Sequence, residues 1–193
     1  MEHWKIAILG DGGVGKTALA VKFIFNRFVH CMNNRGQQTY DPTIEDAYRQ
    51  RFAVDNRMVT VEILDTAGQD EFAPIMAQQI NVTSRFSFTR IGSFYREILR
   101  LKGKDVPIIM VANKEDIAAE RQVPIHDGTT MAESMKCTFF ETSAMTGYNV
   151  EPVFAEVVRS LRINAAYQAS CQPKRPKHAK LKRVFSALKC IIM

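Results

Sequence analysis

The run Gly10-Asp11-Gly12-Gly13-Val14-Gly15-Lys16-Thr17 constrains this chain more than any other stretch of it. It fits G-x-x-x-x-G-K-[S/T], and its flanks are those the pattern requires. Residues 5–9 (KIAIL) read as a buried strand, and residues 17–25 carry apolar side chains at helical spacing. Between a strand and a helix, such glycines let the backbone curl until its N–H groups converge on phosphate oxygens. The helix N-terminus adds favourable partial charge. Gly10, Gly12, Gly13, Val14, Gly15 and Ala18 are therefore candidate nucleotide-binding positions, Lys16 the residue that neutralises β- and γ-phosphates, and Thr17 a hydroxyl ligand for Mg²⁺. A glycine-rich turn with a chance Lys-Thr is the competing reading, and the correct flanks count against it.

The rest of the chain alternates strand and helix patterns. Residues 47–54 and 58–64 read as a hairpin around Asp55-Asn56-Arg57. Residues 70–80 suggest a short helix, and 90–102 a longer one with Ile91, Phe94, Tyr95, Ile98 and Leu101 near one face. Residues 106–112 (VPIIMVA) form a buried-strand pattern, followed by helix over 126–135, strand over 137–141 and helix over 150–163. This order predicts an α/β P-loop NTPase architecture, with a mostly parallel central sheet and helices on both faces.

Further motifs fall at strand ends, where ligands of such sheets bind. Asn113-Lys114-Glu115-Asp116 follows the 106–112 strand. A carboxylate at Asp116 can accept both N–H donors of the guanine N1/N2 edge, a pair that adenine lacks. Asp65-Thr66-Ala67-Gly68-Gln69 follows the second hairpin strand. Asp65 is placed to hold Mg²⁺ directly or through water, Gly68 to offer its N–H to a γ-phosphate, and Gln69 to orient an attacking water. Thr43, in the loop before the hairpin, can close over Mg²⁺ when a γ-phosphate is present. Each string alone could be a solvated turn; four in one order make that hard to sustain.

Together with Glu141-Thr142-Ser143-Ala144, these motifs resemble Ras-type small GTPases over residues 5–163. The segment Tyr40-Asp41-Pro42-Thr43-Ile44-Glu45-Asp46 is of the Ras/Rap/R-Ras effector type. The resemblance implies a molecular switch that binds GTP and GDP, hydrolyses GTP and signals from a membrane surface. It implies that Phe28 packs on the guanine ring, where sequence alone would favour a core aromatic. It implies that Asn113, Lys114 and Asp116 hold the base, with Ser143 and Ala144 in support. Gln69, Lys16 and Gly68 become the catalytic set. Partners implied are effector proteins, an exchange factor and a GTPase-activating protein, whose arginine finger accelerates Ras-type hydrolysis by on the order of 10³–10⁵.

Charge separates the chain into two parts. Residues 165–193 hold seven Lys/Arg and no acid, so a net charge of +6 leaves −1 on the remainder. A near-neutral body argues against nucleic acid as a partner. Residues 1–164 are expected to be the nucleotide-binding domain, and residues 165–193 a flexible basic tail. That tail closes on Cys190-Ile191-Ile192-Met193, a C-a-a-X pattern in which Met favours farnesylation of Cys190. One prenyl chain binds a membrane marginally, and the basic residues supply a second signal for an anionic surface. The expected location is the cytoplasmic face of a membrane, the plasma membrane above all.

Three departures from the family pattern stand out. The loop between Phe28 and Tyr40 is longer by about eight residues, an insertion of small entropic cost. The stretch from Gly68 to Asn113 is shorter by about ten, a strand and its turn. The sheet is therefore expected to lack one central strand unless residues 80–82 supply a stub. Met145 stands where a Lys is usual. The alternative function is accordingly a non-switching or hydrolysis-deficient nucleotide-binding or scaffold protein.

Overall fold

A computed structural model describes residues 2–28, 45–66, 85–171 and 188–192. Strand β1 (Glu2–Leu9) leads through the glycine-rich loop into α1 (Lys16–Phe25). β2 (Glu45–Val54) and β3 (Arg57–Thr66) form an antiparallel hairpin closed by Asp55 and Asn56, whose φ values of 51° and 61° are both left-handed. That pair of conformations matches the strand twist, and Asp and Asn tolerate it. Then follow α2 (Arg85–Lys102), β4 (Ile108–Ala112), a 3₁₀ turn (Glu115–Glu120), α3 (Ile125–Ser134), β5 (Thr138–Glu141), α4 (Val150–Cys171) and β6 (Leu188–Ile192).

The strands make one sheet of order β2-β3-β1-β6-β4-β5, parallel except for β2. Alternating side chains divide the core between its two faces. Ile6 and Ile8 of β1 and Ile109 and Val111 of β4 pack with α1 and α4, around Leu19, Phe154 and Leu161. Ala7, Ile108 and Met110 face the other way, onto Ile91 and Ile98 of α2 and Ala132 of α3. Phe23 stacks on fully buried Phe154 at 4.0 Å between ring centroids, locking α1 to α4. The Tyr95 hydroxyl donates to Met135 O at 2.9 Å and joins α2 to the end of α3.

The predicted α/β architecture with helices on both faces is the one observed. Three particulars differ. Leu101, expected on the apolar face of α2, is 64% exposed in its last turn, and Leu99 packs instead. α4 continues past residue 164 to Cys171. The central gap expected in the sheet is filled by Leu188–Ile192, the segment read from sequence as part of a flexible tail. The helix expected over 70–80 and the stub over 80–82 lie outside the described residues.

Charged groups on the sheet are neutralised across strands. Glu62 of β3 is only 6% exposed and bonds Lys5 Nζ on β1 at 2.8 Å and Arg49 Nε on β2 at 3.1 Å, with His3 Nε2 at 3.7 Å. The hydrogen bond from Lys5, aided by Arg49, pulls the Glu62 carboxyl below its ordinary value of 4.5 despite partial desolvation. A carboxylate with a depressed folded pKa adds stability that is present above its unfolded pKa and lost as pH falls through the folded one. Urea titrations from pH 7 to pH 2 should therefore show Glu62→Gln less stable than wild type at neutral pH, the difference closing as the pH falls through the lowered Glu62 pKa.

Candidate functional site

Four loops meet at the carboxyl end of the parallel strands, because each follows a strand of the same sense. β1 delivers the glycine-rich loop, β3 ends at Asp65-Thr66, β4 runs into Asn113-Lys114, and β5 into Thr142-Ser143-Ala144. The structure thus brings together Gly10 to Ala18, Asp65, Asn113, Lys114, Asp116, Ser143 and Ala144. Tyr40 to Ile44, Thr43 among them, and Gly68 and Gln69 lie outside the described residues. Glu45 and Asp46 open β2, paired in register with Thr66 and Asp65.

Lys16 begins α1 and is 5% exposed, its ammonium donating to Gly10 O at 2.9 Å and Asp11 O at 2.8 Å. Burial pushes its pKa down, and the negative charges of Asp65 and Asp11 oppose that shift. A cation desolvated this far, at a helix N-terminus, is stabilised by any phosphate that replaces its carbonyl acceptors. Thr17 remains partly accessible beside it, and Asp65 is 1% exposed. A hydroxyl and a buried carboxylate are hard oxygen donors of the kind Mg²⁺ takes, so the residues present fit that ion.

Asn113 ties the glycine-rich loop and the Thr142-Ser143-Ala144 loop together. It is 3% exposed. Its Nδ2 donates to Val14 O at 3.1 Å, and its Oδ1 accepts from Thr142 Oγ1 at 3.2 Å and Ala144 N at 3.1 Å. Lys114, held at φ 65°, reaches Gly13 O at 3.0 Å. Burial lowers the Lys114 pKa, while Asp116 and Glu120 raise it. Gly15 sits at φ +94°, and a Cβ there would collide with Asn113 Nδ2. Only glycine satisfies both the left-handed backbone and this approach.

The Asp116 carboxylate is exposed to solvent and oriented by a hydrogen bond from Ser143 Oγ. The Ser143 hydroxyl also accepts from Thr146 N at 3.0 Å. Ser143 and Ala144 are buried, so they act here as scaffold for the carboxylate and for Asn113. Phe28, two residues beyond the left-handed Asn26 that caps α1, is 36% exposed. Among the described residues, its ring belongs to neither core cluster. Met145 is 52% exposed beside these groups.

Sequence reasoning overlooked two groups. Thr142 is fully buried against Asn113, and a polar residue between Glu141 and Ser143, just past the 137–141 strand pattern, was the available signal. Arg90 Nη1 pairs with Asp11 Oδ1 at 2.7 Å, joining α2 to the glycine-rich loop, and its guanidinium lies 5.9 and 5.7 Å from the Phe86 and Phe94 centroids. A contact between residues so far apart leaves no local sequence signal.

Comparison with known proteins agrees with this geometry. The model of the Ras family matches residues 5–163. A Ras-like protein, rasX of Dictyostelium discoideum, is 44% identical over 169 residues, covering 82% of this chain and 76% of that protein.

The Asn113 contacts carry a prediction. Asn113→Ala strands the Ala144 N–H and the Val14 carbonyl, each a loss of about 1–3 kcal/mol when buried. Denaturant unfolding should show a destabilisation of that order, together with weaker nucleotide retention on gel filtration.

Proposed function

Because this chain belongs to the Ras family of GTP-hydrolysing proteins, we propose that the cleft is a guanine-nucleotide site in which Lys16 and the backbone of residues 10–18 grip the phosphates while Asp116 reads the purine edge. The observation that carries this reading is the Asn113 amide, which bonds the phosphate loop and the Ser143-Ala144 loop at once. One ligand spanning both halves stabilises the arrangement that the side chain already holds. Lys114 makes a second bridge of the same kind through Gly13 O.

Thr17, Asp65 and Thr43 would hold Mg²⁺, which would supply charge neutralisation to bound phosphates. The chain's own contribution to phosphoryl transfer is positioning and electrostatics. Lys16, buried and paired with neutral carbonyls, meets the charge that builds on the transferring group. Gln69 orients the attacking water, and Gly68 donates its N–H to the γ-phosphate. Residues 40–46 face effectors when Thr43 is drawn in and release them after hydrolysis. An exchange factor and a GTPase-activating protein reset and trigger the cycle, and Gly12 leaves room for an arginine from the latter.

The basic residues between 174 and 189, with farnesylation at Cys190, would hold the protein on an anionic membrane, the cytoplasmic face of the plasma membrane above all. Mass spectrometry of protein from a eukaryotic host should find Cys190 farnesylated, and Cys190→Ser should abolish membrane recovery.

Chromatography of denatured, freshly purified protein should release GDP or GTP. Asp116→Asn should move preference from guanine toward xanthine nucleotides, since an amide presents a donor where the N1 and N2 protons need acceptors. A chain that carries no guanine nucleotide and takes up none at micromolar concentration would overturn the reading. Gln69→Leu should leave binding intact and lower activator-stimulated hydrolysis by on the order of 10³ or more.

A further inference from the structure

The two halves of the nucleotide cleft are joined through β6. On one flank, β1 pairs with β3 from Glu2 to Ile8, and on the other with β6 from Lys5 to Leu9. β4 pairs with β5 outwardly and with β6 inwardly, from Ile108 to Met110. Among the described residues, the backbone ladder between the β1 half and the β4 half runs through residues 188–192. β1 ends at the glycine-rich loop and β4 at Asn113, so this one strand holds apart, at one strand's width on each side, the segments that carry the phosphate and base motifs.

The path of the chain favours this insertion. α4 starts at Val150, on the side of the cleft, and runs back to the opposite end of the sheet. There Arg162 Nε donates to Glu2 Oε2 at 2.8 Å and its Nη1 to Val54 O at 3.0 Å, while the Asn164 amide bonds Asp105 O. Those contacts lie beside the starts of β1 and β4. A strand parallel to both must enter from that end, and Leu188 does, opposite Lys5. β5, α4 and β6 thus form a strand–helix–strand crossover of the ordinary kind.

Yet β6 contains Cys190, in register with Ala7 on one side and Ile108 on the other. Prenyl transfer forms a thioether between Cys190 Sγ and C1 of an isoprenyl diphosphate, breaks the C1–O bond, expels diphosphate and passes the thiol proton to solvent. A transferase must engage the terminal residues as a free extended peptide, which a strand bonded on both edges cannot offer. We propose that residues 188–192 are a detachable strand with two exchanging states: inserted, it completes the sheet and strengthens the nucleotide cleft; withdrawn, it presents Cys190 for prenylation. Withdrawal leaves the inner edges of β1 and β4 without their ladder partner, at a cost that sets the population of the withdrawn state. A nucleotide that spans both motif sets favours insertion, and by reciprocity insertion favours the nucleotide.

The strand pairing stands on the sheet alone; its link to prenylation and nucleotide rests on the function proposed above. The test uses the full-length, unmodified chain. Hydrogen exchange should find the amides of 188–192 protected together with those of β1 and β4, more strongly once GDP and Mg²⁺ are added. Farnesyl transfer from farnesyl diphosphate by a farnesyltransferase should be at least about tenfold slower on the intact chain than on a synthetic peptide of residues 180–193, since only the withdrawn fraction reacts. Lys189→Pro removes an N–H from the interior of the strand and lies outside the four terminal residues. It should lower the melting temperature and speed transfer to the intact chain while leaving the peptide's rate unchanged. If that variant does not fold, the comparison of wild-type chain with peptide still decides. Exchange of 188–192 at the rate of an unstructured peptide, or equal transfer to chain and peptide, would overturn the proposal. Failure of the nucleotide reading would register separately, as protected 188–192 amides in a chain that retains no guanine nucleotide.

Discussion

Everything at the cleft depends on a fixed separation between the carboxyl ends of β1 and β4, and the side chain of Asn113 holds it from the β4 side. An amide carries both a donor and an acceptor, and both are used: Nδ2 toward Val14 O, Oδ1 toward Thr142 and Ala144. Aspartate in its place would lose the donor, and leucine would lose both. The glycine at position 15 follows from the same bond, because any Cβ there would occupy the space of Nδ2. Two motifs about a hundred residues apart in sequence are therefore one interlocked unit, each restricting what the other can be.

Burial of charge has opposite meanings at two places in the fold. Glu62 is enclosed but answered by Lys5 and Arg49 across adjacent strands, so its charged form is favoured and its role is structural. Lys16 is enclosed against two backbone carbonyls, with Asp65 and Asp11 compensating at longer range, so its charged form is disfavoured. A site that holds a cation at such a cost attracts anions strongly. The Arg90–Asp11 pair adds a further constraint by fastening α2 to the same loop.

The sheet shows how little a layered core depends on which segment supplies a given strand. β1 and β4 sort their side chains to the α1/α4 face or the α2/α3 face by simple alternation. Those faces exist whatever lies between the two strands, provided that something pairs their backbones. A segment from the far end of the chain meets that condition, and with it the C-terminal cysteine enters the centre of the sheet rather than trailing from it.

Legibility in the sequence followed the range of the interaction. The glycine-rich loop, the Asp55-Asn56 turn, the 3.6-residue pattern of α2 and the buried run of β4 are read within a window of about a dozen residues, because helix periodicity, turn chemistry and phosphate cradles are local. Leu101 shows the limit of that window, since an apolar residue at correct spacing in the last turn is left 64% exposed. The positions of Asn113, Lys114 and Asp116 at the cleft were legible from strand ends alone, but their bonds to Val14, Gly13 and Ser143 were not. Amino-acid order alone set the alternating α/β plan, the chemistry of each loop and the edge of the sheet on which the loops gather. Three-dimensional closure chose the neighbours: Arg90 for Asp11, Arg162 for Glu2 and, above all, residues 188–192 for the slot between β1 and β4. Any extended segment satisfies a backbone ladder, so the one that fills it is selected by where the chain has already been carried, a property of the whole path that no short stretch encodes.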